Sequence, residues 1–114
     1  MSLDLKTLVT IREATRAMID HASGHDRLSF EVERKSRSAV LFEIVIQGEG
    51  VKRLSLDLRN RHPSVAWTQI AGMRDRLVHS FDVIDFDIVW DVAQTIAPGL
   101  LVDLDRIIAE ESKS

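Results

Sequence analysis

Apolar residues recur at three- and four-residue steps along almost the whole chain, and only two prolines and five glycines interrupt them. That pattern leaves room for little besides helix. A half-buried strand alternates every second residue, and a hairpin needs turn dipeptides that this sequence lacks. In the first stretch Leu5, Leu8, Val9, Ile11, Ala14, Met18 and Ala22 line one face until Ser23-Gly24 stops it. A second helix is expected from an N-cap at Ser29, with Val40, Leu41, Ile44, Val45, Val51, Leu54 and Leu58 carrying its stripe down to Arg59. At about thirty residues it would be unusually long for a small domain, so Gly48 or Gly50 is expected to bend it or to admit a neighbouring backbone. A glycine in mid-helix costs roughly 1 kcal/mol relative to alanine and calls for such a reason. Pro63 ends this region, and Ser64 is expected to cap a third helix over Val65 to Ser80. Asp85 caps a fourth through Phe86, Val89, Trp90 and Ala93, and Pro98 opens a fifth through Leu100, Leu101, Leu104, Ile107 and Ile108. The expectation is an all-α antiparallel bundle of about five helices with a long second helix, one domain over residues 1–114, and a polar tail from Glu111 to Ser114.

Composition narrows the function. No apolar run nears the roughly 20 residues that cross a membrane, and the start Met1-Ser2-Leu3-Asp4 lacks a basic segment followed by an apolar one, so a cytoplasmic location is expected. The absence of cysteine removes thiol catalysis, disulfides and thiolate metal sites. A formal charge of −3 argues against a broad basic coat for nucleic acid. Local basic groups do occur, as Arg34-Lys35-Arg37, Lys52-Arg53, Arg59-Arg61-His62 and Arg74-Arg76, and each alone reads as a solvated helix face.

Several candidate sites fall to simpler readings. His21 and His25 have the i, i+4 spacing of a helical metal pair, but Gly24 lies between them and disrupts the helix that would align them. Asp82, Asp85, Asp87 and Asp91 lack the alternating ligand loop and closing glutamate of a calcium site, and read as caps and a solvated face. Trp67 and Trp90 sit in apolar surroundings and read as core or interface anchors. No metal or cofactor is expected.

The stretch Ala71 to Phe81 joins charged chemistry to an apolar setting. An arginine five residues before a histidine proves little, since 11 arginines and 4 histidines give about 0.4 such spacings by chance, and Arg16 and His21 form another. On a helix, Asp75 and His79 lie about 40° apart around the axis, so the carboxylate is expected to reach and orient the imidazole. Arg74 stands about 140° around the axis from His79 and about 7.5 Å along it, an arrangement better suited to two copies facing across a two-fold axis than to one.

The whole chain resembles the HepT-like toxins of the HEPN superfamily. The resemblance rests on Ile46-Gln47-Gly48-Glu49-Gly50-Val51-Lys52-Arg53-Leu54, on the order Pro63-x3-Trp67-x2-Ile70-x-Gly72-Met73-Arg74-x2-Leu77-Val78-His79, and on Val83-Ile84-Asp85 followed by Ile88-Val89-Trp90. It implies a HEPN-like helical fold and a metal-independent endoribonuclease toxin acting as a homodimer. The Arg74 and His79 of both chains would be catalytic and meet in one cleft, with Asp75 supporting them. It also implies a partner, a minimal nucleotidyltransferase (MNT) antitoxin of the same toxin–antitoxin system. A non-catalytic dimeric module that binds a nucleotide or a protein in the same cleft is the alternative. One departure is sharp. Members of that family typically read His-x-Tyr, and the antitoxin adenylylates that tyrosine; here the triplet is His79-Ser80-Phe81, and the chain has no tyrosine at all. Phe81 cannot be adenylylated. Non-covalent occlusion, modification of Ser80, and drift away from the toxin role are the three readings left open.

Overall fold

The structure is a computed structural model that describes residues 2–113. Helix α1 (Leu3–Ala22) begins where Ser2 Oγ accepts the Leu5 N–H at 3.1 Å, and it ends at Ser23 as expected. Gly24 follows at φ +82°, the left-handed conformation that glycine alone adopts without steric cost.

The second helix is long, but it is not one piece. Helix α2 (Arg27–Val32), α3 (Arg34–Arg53) and α4 (Leu56–Arg61) share the territory expected of it, and the breaks are made by side chains that seize free backbone donors. Asp26, not Ser29, is the first N-cap. Its carboxylate takes the Ser29 N–H at 2.8 Å while Ser29 Oγ takes the Asp26 N–H at 3.1 Å, so Ser29 is the other half of a capping box. Glu33 ends α2 and caps α3 by accepting the Ser36 N–H at 2.9 Å. The chain then turns at Leu54, and Ser55 caps α4 at 3.1 Å while both its N–H and hydroxyl bind Asp4 at the start of α1, at 2.9 and 2.6 Å.

Neither glycine bends α3, which continues through both. They admit neighbours instead. A Cβ on Gly50 would come within 2.6 Å of Ile11 Cγ1 on α1, and one on Gly48 would overlap Arg74 Cβ and Cγ on helix α5 (Trp67–His79). Ser64 does not cap α5; its start, at Ala66, has no side-chain cap, and the bond that fixes this corner runs from the buried Trp67 Nε1 to the His62 carbonyl at 3.0 Å. The helix stops at His79, with Ser80 as C-cap and a single 3₁₀ turn over Phe81–Val83.

Asp85 caps α6 (Phe86–Asp91) as expected, accepting the Asp87 N–H at 2.9 Å. Pro98 lies in the first turn of the last helix as expected, but that helix is not separate from the one before it. A π-helical turn over Val92–Ile96 joins α6 to α7 (Ala97–Glu111), the Ala97 N–H bonding five residues back to Val92. A proline inside an α-helix clashes with the preceding turn, and the widened turn just before Pro98 supplies the slack. Glu111, expected to begin a polar tail, closes α7 and receives Arg61 Nη2 at 2.8 Å, with His62 Nε2 at 2.8 Å from its other oxygen. The tail's last residue, Ser114, lies outside the described residues.

The bundle is built by α1 on α3, α3 on α5, and α1 on α7. One buried cluster holds Leu8, Ile11, Val51, Leu58, Trp67, Leu104 and Ile107; the other holds Met18, Phe30, Val40, Ile44, Val89 and Trp90. Fully burying each such large side chain contributes about 1.5–3 kcal/mol, so α3, with residues in both clusters, is the rigid floor against which α5 lies.

Candidate active site on α5

Arg74 leaves α5 directly above Gly48, where a Cβ in place of the glycine hydrogen would overlap the Cβ of Arg74. Its side chain is 19% exposed, and its Nε is buried without a hydrogen-bond partner among the described residues. Nη2 pairs with Glu49 of α3, while Nη1 lies 3.0 Å from Asp75 Oδ1. Lys52, one turn along α3 from Glu49, places Nζ 2.9 Å from the same Asp75 oxygen. Two cations and two carboxylates thus cross between α3 and α5. The hydrogen bond from Lys52, and then that from Arg74, hold the Asp75 carboxyl below its ordinary range.

Asp75 therefore does not do what the spacing suggested. Its carboxylate turns to Lys52 and Arg74, and no hydrogen bond between it and His79 occurs among the described residues. The reason is electrostatic: two full cations at about 3 Å hold a carboxylate more strongly than an imidazole can. His79 occupies the last turn of α5, exposed, and the structure gives its ring no hydrogen-bond partner among the described residues. Beyond it Ser80 is exposed, and Phe81 is 75% exposed.

The other candidates resolve into framework. His21 faces Glu43 at 3.4 Å, whereas His25 lies between Ser29 and Ser36, 2.9 Å from each hydroxyl, so the two imidazoles engage different partners. Among the described residues no cluster of three or more His, Asp or Glu has metal-binding geometry. Asp87 and Asp91 pair with Arg27 of α2, at 3.0 and 2.9 Å. Trp67 and Trp90 are buried. Among the described residues no helix is long and apolar enough to cross a membrane. Sequence reasoning gave no role to Glu49 or Lys52; the available signal was their i, i+3 spacing directly after a glycine that needed a close neighbour.

A sequence profile of the family described as ribonuclease HepT-like matches residues 11–107. The chain belongs to that family. Among similar proteins, one from Methanocaldococcus jannaschii named "Putative RNase" is 30% identical over 103 residues, covering 90% of this chain and 85% of its own length. Another of that name from Caldanaerobacter subterraneus is 30% identical over 94 residues, covering 82% and 84%. A protein of Thermococcus cleftensis named "Probable ribonuclease HepT" is 31% identical over 78 residues, covering 68% of this chain and 71% of its own. No solved structure matches the chain significantly. The HepT-like match takes in α3 and α5 entire, and with them Glu49, Lys52, Arg74, Asp75 and His79.

Proposed function

We propose that this chain is an endoribonuclease that needs no metal and works as a homodimer, with Arg74 and His79 of both copies lining one cleft. The observation that carries this reading is the family match across α5, a helix that holds its arginine fixed on α3 and leaves its histidine open to solvent. The reaction calls for those two settings. A ribose 2′-oxygen attacks the adjacent phosphorus as a base removes its proton; the bond to the 5′-oxygen breaks and that oxygen takes up a proton. An exposed imidazole can exchange protons at either oxygen, and a fixed guanidinium can stabilise the charge that builds on the phosphorane. The products are a 2′,3′-cyclic phosphate and a 5′-hydroxyl, and DNA, without the 2′-hydroxyl, is left intact. One helix sets Arg74 and His79 about 140° apart around its axis, an arrangement better suited to a second copy bringing arginine and histidine to one phosphate.

An RNA-cleavage assay on wild type and His79→Ala tests the enzyme: inactivity of the wild type, or equal activity of the variant, sinks it. A second reading, a non-catalytic dimeric module, draws on the neutral charge balance around Arg74, where Glu49 and Asp75 already occupy the guanidinium. It predicts RNA or nucleotide binding without cleavage.

As a toxin, the chain would be restrained by an MNT nucleotidyltransferase, and Phe81 bars tyrosine adenylylation as the means. Intact mass after incubation with ATP and an MNT nucleotidyltransferase separates the alternatives. Unchanged mass eliminates modification of Ser80; inhibition without a mass change then points to occlusion, and the absence of both to drift from the toxin role.

A further inference from the structure

We propose that Glu49 is a positioning residue for Arg74: it holds the guanidinium in the single pose that the reaction uses. The inference deepens the ribonuclease reading and rests on it for its kinetic consequences. An arginine has several rotatable bonds, and one that must meet a phosphorane gains from having its pose fixed beforehand. Here the base of the side chain is wedged over Gly48, Nε is buried, and Glu49 takes Nη2. Asp75 takes Nη1 but stands next to Arg74 on the same helix, so it cannot fix the guanidinium against the rest of the fold. Glu49 can, since it stands on α3, whose apolar face is built into both core clusters. Lys52 completes the arrangement by drawing Asp75 to α3 as well.

The opposite role can be drawn from the same contact. A carboxylate on the catalytic arginine could mask it until RNA displaces the pair, and removing the carboxylate would then speed the reaction. The geometry favours positioning. Arg74 keeps the remaining N–H groups of Nη1 and Nη2 for a phosphate, and swinging the side chain away from Glu49 would require moving a buried Nε that follows directly on the Cβ and Cγ packed over Gly48.

The test pairs kinetics with a direct view of the side chain. Glu49→Ala is expected to lower kcat on RNA by about tenfold or more, with KM unchanged or lower because a negative charge has left the neighbourhood of the phosphate. Glu49→Gln, which keeps an oxygen acceptor for Nη2, is expected to recover part of the rate. In an Arg74→Lys background the Glu49→Ala loss should largely disappear, because the two residues act as one unit. A kcat for Glu49→Ala at or above the wild-type value, glutamine no better than alanine, or the same loss in the Arg74→Lys background would each overturn the proposal. Should the wild type fail to cut RNA, or His79→Ala cut it equally well, it is the ribonuclease reading that fails. Positioning is then decided by nuclear magnetic resonance of the Arg74 Nε–H. A slowly exchanging signal that is lost in Glu49→Ala supports it, and protection unchanged in the variant overturns it.

Discussion

Arg74 and His79 lie five residues apart on one helix, yet the fold treats them in opposite ways. The arginine is pressed onto α3 over a glycine and held by two carboxylates, while the histidine is exposed at the helix end with no hydrogen-bond partner among the described residues. The proposed reaction would make use of the difference. A charge-stabilising group works best when no reorganisation is needed at the moment of reaction, and a proton-transfer group must reach its partner and exchange with its surroundings. Helix α5 therefore joins a rigid end to an open one, and substitutions at the two ends should fail differently.

The largest separation is expected between His79→Ala and its effect on folding. RNA cleavage should fall by about 10²–10⁴-fold, while the melting temperature stays within about a degree, since an exposed residue with no partner contributes little. A large drop in melting temperature would show that His79 is structural. Next comes Gly48→Ala, at the fixed end. The added methyl overlaps Arg74 Cβ, so helix α5 or the arginine must move. Overpacking costs about 1–3 kcal/mol, against roughly 1 kcal/mol gained in helix propensity. A lower melting temperature together with a slowed reaction is expected; full activity would show that the close approach serves packing alone.

A smaller effect separates the ends by pH. Asp75 has its carboxyl pKa lowered in the folded protein, so the stability it provides is complete above the unfolded value of about 3.9 and is lost as pH falls through the lower folded value. Thermal melts between pH 5 and 2, with both limits about those of the carboxylate range, should show an acid loss that Asp75→Asn reduces. The smallest expected change is Lys52→Ala. It removes the foremost cause of the Asp75 shift, so the Asp75 carboxyl should titrate higher by nuclear magnetic resonance while the melting temperature barely changes, as for most exposed ion pairs. An unmoved Asp75 titration would place the cause on Arg74.

Much of this architecture was legible in the apolar spacing. The all-α bundle, the stop at Ser23-Gly24, the Asp85 cap and the third helix carrying Arg74 and His79 follow from periodicity and local cap chemistry, which act over a few residues. The breaks at Glu33 and Leu54 were not legible, because an apolar stripe runs on across a break when both halves pack on the same core. At Ser55 the deciding partner is Asp4, far away in sequence. The π turn that absorbs Pro98 is likewise invisible to a rule that reads proline as a start signal. In the site, the resemblance singled out Arg74 and His79 as candidates, while helical spacing sent Asp75 to the wrong partner. Helical geometry shows which residues are near on one helix, whereas Lys52 and Glu49 approach from another. Gly48 was the one clue, since a costly mid-helix glycine implied a close neighbour without saying which.

The claim that Arg74 and His79 serve a metal-independent reaction through the 2′-hydroxyl is tested most directly by the ends of the products. Purified protein would be given a defined RNA in excess EDTA, beside the same RNA methylated at the 2′-oxygens and beside His79→Ala. The account predicts fragments ending in a 2′,3′-cyclic phosphate and beginning with a 5′-hydroxyl from wild type alone, with the methylated RNA untouched. Fragments ending in a 3′-hydroxyl, or cutting that survives methylation or the loss of His79, would contradict it.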